Sequence, residues 1–274
     1  MTTQPDKVDF RGVRWGSVEW TNLCTLYLRA YESRSAQPVL GDRAAADAVD
    51  RIDYDFARVH RSIQPWTNQF LVALRAKQLD GWAADFLARH PDAVVLHLGC
   101  GLDTRIDRLQ PSAGVQWFDV DVPQVIHLRR ELYDDRPGYT MIGSSVTDPG
   151  WLDRVPADRP ALIVAEGLLM YLAAAEIGDL LHRLTDRFGT GELLADLLSE
   201  SGPRLSKVFT KGIVKWGTRD GHELSEWNPR LSLVQSATFI DPAQIPATPQ
   251  RVLYRLFGAL PAVRNYDRLY LFRF

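Results

Sequence analysis

The run Ala93-Val94-Val95-Leu96-His97-Leu98 is of strand length and nearly continuously apolar, and it ends in two glycines one residue apart, Gly99 and Gly101. Such a run reads as a buried parallel strand that turns tightly into a helix. Neither glycine carries a Cβ, so the backbone can turn sharply and a ligand can lie directly against it. A chain built on this corner has to layer helices on a mostly parallel sheet, with its ligand at the carboxyl ends of the strands.

Dinucleotide sites add a third glycine three residues on, so that the helix packs close to the strand and its N-terminus faces a pyrophosphate. Here that position is Thr104. The departure favours a nucleoside ligand without a pyrophosphate, for which S-adenosylmethionine is the leading candidate, over NAD.

Downstream, apolar runs at 115–120, 139–146, 161–165 and 192–198 alternate with helical or turn text, which predicts right-handed strand-helix-strand crossovers. Two further strands are expected at 231–240 and 266–274, with a helix at 250–260 between them. The stretch 200–229 is polar, broken by glycines and anchored by Trp216 and Trp227, and reads as a lid or substrate wall. Upstream, 21–60 is helical text broken at Pro38 and Gly41, with Asp42 placed to cap the helix that follows. The expected organisation is one structural unit: a helical cap and lead-in helix over 1–92, then an α/β core over 93–274.

Composition excludes several classes. With 46% hydrophobic and 24% charged residues in 274, the chain is an ordinary globular one. A formal net charge of −2 gives no basic field for a nucleic acid. Arg251, Arg255, Arg264, Arg268 and Arg273 near the C-terminus read as a solvated face. Cys24 and Cys100 make no disulfide framework, no Cys/His cluster has metal-ligand spacing, and no apolar run is long enough for a membrane span. The polar opening residues 1–10 offer no targeting segment, so a cytoplasmic, reduced protein is expected.

Four features carry candidate chemistry. Arg75 falls on the apolar stripe of a helix over 68–90, beside Leu71, Leu79 and Trp82, so its guanidinium is partly buried and needs an acceptor. A ligand carboxylate and a protein aspartate both qualify. The second strand ends in Asp119-Val120-Asp121; an acidic residue about 20 positions beyond the glycines accepts hydrogen bonds from a ribose. Glu166 ends a central strand. His97 lies inside its strand and reads as a core histidine, while His60 and His222 have no partner that would mark a catalytic dyad.

Three segments in order, Leu98-Gly99-Cys100-Gly101-Leu102-Asp103-Thr104-Arg105, Trp117-Phe118-Asp119-Val120-Asp121-Val122-Pro123 and Ala165-Glu166-Gly167-Leu168-Leu169-Met170-Tyr171-Leu172, resemble the leucine carboxyl methyltransferase family, and within it the polyketide O-methyltransferases. The resemblance implies a Rossmann-like class I methyltransferase sheet whose last strand enters antiparallel, with S-adenosylmethionine as cofactor. It also implies that Arg75 holds the methionyl carboxylate, that Gly99, Cys100 and Gly101 form the cofactor corner, and that Asp121 rather than Asp119 meets the ribose, leaving Asp119 solvated or loop-capping. Ser145 and Val146 would border the adenine, and Glu166 would pair with the methionyl ammonium. Arg29 and Tyr171 are candidates for the substrate pocket, each with a plainer alternative: a surface arginine and a packing tyrosine.

The expected activity is S-adenosylmethionine-dependent O-methylation of a carboxyl or phenolic hydroxyl on a small, polyketide-type molecule. An ionised carboxylate needs no base, and the absence of an evident dyad leans toward a carboxyl acceptor. The alternatives are an NAD-dependent oxidoreductase and a cofactor-binding protein without turnover.

Overall fold

The computed structural model describes residues 7–209, 212–238, 240–246 and 248–274. Part of the polar N-terminus, positions 210–211 of the expected lid and position 239 of the expected 231–240 strand lie outside them. Seven strands form one sheet: β1 Val94–Leu98, β2 Gln116–Asp121, β3 Tyr139–Gly143, β4 Ala161–Ala165, β5 Gly191–Leu198, β6 Ser232–Ala237 and β7 Asp267–Arg273. Their order across the sheet is β3-β2-β1-β4-β5-β7-β6. The first five pair in parallel, and β7 runs antiparallel between β5 and β6. The expected strand at 139–146 stops at Gly143, and the one at 115–120 shifts by one residue, which puts Asp121 at the last position of β2.

The helices divide between the two faces. α1 Val18–Ser33, α2 Arg43–Arg51 and α3 Phe56–Ile63 precede the long α4, Pro65–Arg89. Ser17, Asp42 and Asp55 cap the first three by accepting from backbone N–H groups of Trp20, Ala45 and Arg58, which satisfies donors a helix leaves free at its start. Pro65 opens α4, where a missing N–H costs nothing. After the corner come α5 Arg105–Leu109, α6 Pro123–Leu132 and α7 Ala174–Arg187.

Alternation along the strands sorts side chains between two cores. Val94, Leu96 and Leu98 of β1 join Ile177, Leu180, Leu181, Leu184 and Phe188 of α7 on one face. Val95 joins Phe70, Leu74, Leu79, Trp82 and Phe86 of α4 on the other. A third cluster, with Leu23 and Leu26 of α1, Ala45 and Val49 of α2 and Leu102, welds the N-terminal helices to the corner. Within 200–229 the structure forms short helices at Gly202–Phe209 and His222–Trp227, and Trp216 packs 5.4 Å from Trp227, centroid to centroid. No helix among the described residues is long and apolar enough to cross a membrane.

Candidate functional site

A cavity of about 260 Å³ opens where β1 turns into α5, at the carboxyl ends of β1, β2 and β4. Gly99 and Gly101 form its floor with φ of +62° and +51°, a region that side chains beyond glycine rarely enter. A Cβ on Gly99 would lie 3.0 Å from Leu168 Cδ1, and one on Gly101 would lie 2.8 Å from Asn22 Oδ1. Both glycines are thus required by conformation, and a Cβ at either would also force the Leu168 or Asn22 side chain to shift. Asn22 belongs to α1, which contributes Val18, Thr21, Thr25 and Arg29 to the same cavity, so α1 forms one of its walls.

Asp121, Arg75, Glu166, Cys100 and Tyr171 all line this space. Asp121 Oδ2 accepts from the Gly101 N–H at 2.8 Å and Oδ1 from the Val122 N–H at 2.7 Å, so the carboxylate is fixed beside the corner. Burial pushes its carboxyl upward against these two bonds. Arg75 Nε donates to Glu166 Oε1 at 2.8 Å and Nη1 to Asp196 Oδ2 at 3.0 Å. Arg105 takes the other oxygen of Glu166 at 2.5 Å. Burial raises the Glu166 carboxyl, but Arg75 and Arg105 outweigh it and hold it down to about 2. The buried Cys100 thiol is pushed well up by desolvation and stays protonated. Tyr171 is 39% exposed, so it stands at the rim rather than packing among its leucines.

Two of the plainer readings are corrected. Arg29 lines the cavity and is not a surface arginine: it is 3% exposed, its Nε lies 3.2 Å from Asp42, and its Nη2 donates to the Leu102 carbonyl at 3.3 Å. It is a buried charge in a network, because Asp42 and Asp103 supply the counterions a buried guanidinium needs. Asp119 is neither solvated nor loop-capping. It is fully buried inside β2, where it accepts from Arg129, from the Tyr139 hydroxyl at 2.5 Å and from Trp117 Nε1 at 2.8 Å, with His97 Nδ1 at 3.2 Å. Burial raises its carboxyl, and Arg129, His97 and Tyr139 bring it down to about 2. His97 is the buried, satisfied histidine expected, its Nε2 lying 3.2 Å from Arg105 Nη1.

Ser145 and Val146 follow β3 on the strand next to Asp121 but do not line the cavity. The Ser145 hydroxyl bonds Thr147 Oγ1 at 2.7 Å, and Val146 is packed in the core under Trp151. Residues that sequence reasoning passed over are Asp196, Arg105 and Asp103. Asp196 is fully buried and bridges Arg75 to the Gly167 N–H. Its signal was an acid inside the otherwise apolar run Leu193-Leu194-Ala195-Asp196-Leu197-Leu198.

The bare corner, the fixed acid at the end of β2 and the cation-anion pair formed by Arg75 and Glu166 suit a nucleoside joined to a zwitterionic amino acid. Comparison with known proteins agrees. The leucine carboxyl methyltransferase family model matches residues 22–138. The tetracenomycin polyketide synthesis O-methyltransferase TcmP of Streptomyces glaucescens is 43% identical over 84% of this chain and 86% of its own length. The S-adenosyl-L-methionine-dependent methyltransferase dpfgK of Gibberella zeae is 36% identical over 73% of each. A candidate methyltransferase from Thermobifida fusca YX shares the fold with a TM-score of 0.59 at 18% identity, covering 90% of this chain and 93% of that one. The chain belongs to the leucine carboxyl methyltransferase family and is an S-adenosylmethionine-dependent O-methyltransferase.

Proposed function

We propose that S-adenosylmethionine lies along the Gly99–Asp103 corner and that its methyl group goes to an oxygen of a polyketide-type small molecule entering past Tyr171. In this reading Asp121 accepts from the ribose hydroxyls, Arg75 holds the methionyl carboxylate and Glu166 the ammonium, over the Gly99-Cys100-Gly101 backbone. The observation that carries it is the convergence of Asp121, Arg75 and Glu166, from three separate elements, on the cavity floored by Gly99 and Gly101. The polyketide assignment rests on the likeness to TcmP.

The cofactor supplies a sulfonium-bound methyl that is already activated, so the protein has to align donor and oxygen and exclude water. Its own residues do this with fixed charges. Arg105 and Asp196 hold Glu166 and Arg75 from behind, so neither side chain has to be ordered when a ligand arrives. Arg29 and Asn22 press α1 onto the corner from above.

Calorimetry with S-adenosylhomocysteine, followed by a labelled-methyl assay on hydroxylated aromatic acceptors, tests the reading. Binding that survives Asp121→Asn undiminished would overturn it.

A further inference from the structure

α1 lays Val18, Asn22, Thr25 and Arg29 along one stripe, at steps of four, three and four residues, and this stripe faces the cavity. The two bare positions of the corner are each covered by a side chain. Leu168 stands over Gly99, and the carboxamide of Asn22 stands over Gly101, its Oδ1 2.8 Å and its Cγ 3.0 Å from where a Cβ would lie. Gly101 is also the residue whose N–H is bonded to Asp121 Oδ2 at 2.8 Å. Asn22 and Asp121 therefore meet at one glycine, the first from α1 and the second from the end of β2. Arg75 and Glu166 meet each other elsewhere, beside Gly167.

The side chains around Asn22 are committed to the protein. Thr21 Oγ1 donates to the Val18 carbonyl at 2.7 Å, and Thr25 Oγ1 donates to the Asn22 carbonyl at 3.0 Å. Arg29 is paired with Asp42 and Asp103, and His97 is engaged at both ring nitrogens. The carboxamide of Asn22, half-buried, makes no hydrogen bond to any described residue. It keeps two donors and an acceptor to be satisfied. Asparagine is also a poorer helix former than alanine, so its place inside α1 brings the helix no stability of its own.

We propose that Asn22 binds the cofactor's ribose together with Asp121, its Nδ2 amide donating to one oxygen of the diol whose hydroxyls Asp121 accepts. The proposal rests on the cofactor reading above and extends it to α1. The chemistry of a vicinal diol asks for both side chains. Each hydroxyl is a donor and an acceptor, whereas an ionised carboxylate only accepts. Hydroxyls that donate to Asp121 therefore leave their own oxygens without a donor, and in a covered site an unmatched polar group costs more than a made bond contributes. Asn22 is the one carboxamide among the described residues that line the cavity, and it stands at the glycine that Asp121 already holds. The site thus reads an intact ribose from two elements, an acceptor on the sheet and a donor on the N-terminal helix.

The test is calorimetry with 5′-methylthioadenosine, which keeps the nucleoside and lacks the amino acid, and with its 2′-deoxy and 3′-deoxy forms. Asn22→Ala, a change the helix tolerates, should weaken 5′-methylthioadenosine about 5- to 10-fold and S-adenosylhomocysteine by the same factor. Asn22→Asp keeps the shape, removes both N–H donors and sets a second carboxylate near Asp121, so it should weaken both ligands more than Asn22→Ala does. An Asn22→Asp variant that binds like wild type overturns the proposal. One deoxy form, the one without the oxygen that Asn22 serves, should bind wild type and Asn22→Ala alike, which a merely structural effect on α1 would not produce. Equal losses with the parent and both deoxy forms, or a loss confined to S-adenosylhomocysteine, would take Asn22 off the ribose and overturn it. So would unchanged affinity for every nucleoside with a raised KM for the acceptor. Asp121→Asn in the same titrations separates the two failures. If it weakens binding while Asn22→Ala does not, only the role of Asn22 falls; if it binds undiminished, the cofactor reading falls with it.

Discussion

The hydroxyl of Thr104 lies 2.6 and 2.7 Å from the two carboxylate oxygens of Asp42 and donates to that group, tying the corner to the start of α2 across 62 residues of chain. Thr104 stands where a dinucleotide site has its third glycine, so a side chain bonded to a buried carboxylate occupies a position that pattern keeps bare. Thr104→Gly would restore the glycine pattern yet should give no NAD binding by calorimetry. It should cost about 1–3 kcal/mol of stability in denaturant melts, since Asp42 loses a donor it cannot replace from water.

Arg75 separates two ligands that share a nucleoside. Arg75→Lys should weaken S-adenosylhomocysteine binding, because a point charge does not reproduce the fork that reaches Glu166 and Asp196 together. Arg75→Ala should cost about 2–5 kcal/mol in affinity and also lower the melting temperature, as the carboxylates of Glu166, Asp196 and Asp267 lose a common cation. 5′-Methylthioadenosine, which lacks the methionyl carboxylate, should bind wild type and both variants alike in calorimetry. If it weakened in parallel, Arg75 would be shaping the pocket rather than gripping the ligand.

The two aspartates of β2 should part company. Asp121→Asn should lose about 1.5–3 kcal/mol of cofactor affinity with little change in melting. Asp119→Asn should instead destabilise the fold by about 3–5 kcal/mol, because it leaves the buried Arg129 without its counterion. Equal melting temperatures for the two variants would contradict this division.

Acid should unfold the protein through the same groups. Asp119 and Glu166 are both held down to about 2 in the native state, below the ordinary carboxylate range. A depressed native pKa adds stability that is fully present above the unfolded value and disappears as pH falls through the native one. Stability should therefore drop between about pH 4 and pH 2. The Asp267 carboxyl, pushed up by burial and then by Asp196, has the opposite sign: its penalty is absent below about pH 4 and grows as pH rises, so Asp267→Asn should stabilise the protein at neutral pH and lose that effect in acid. Melts of both proteins across this range check the two signs.

What the sequence made legible was local. β1, the glycine corner and the stripe of α4 that carries Arg75 follow from residue spacing within single segments, and the structure places all three as expected. The burial of Arg29 was hidden because its partners, Asp42 and Asp103, come from α2 and from the corner, and neither contact leaves a periodicity in α1. Asp119 was misjudged for a related reason. It already fell within the expected strand, but its partners Arg129 and Tyr139 come from the next two elements, so nothing local showed that its carboxylate is buried. Arg105 was visible in the motif, but nothing in the text showed that its guanidinium turns back toward Glu166.

The placement of β7 has a consequence for how the chain matures during synthesis. β5 is buried along its whole length, yet one of its edges is satisfied only by β7, and the pairing of Glu192 with Arg273 spans 81 residues. While the ribosome is still making the intervening segment, an apolar strand with an open edge has to wait, exposed to chaperones and to other nascent chains. A nascent polypeptide that already carries the cofactor corner therefore keeps an open sheet edge until β7 has been made.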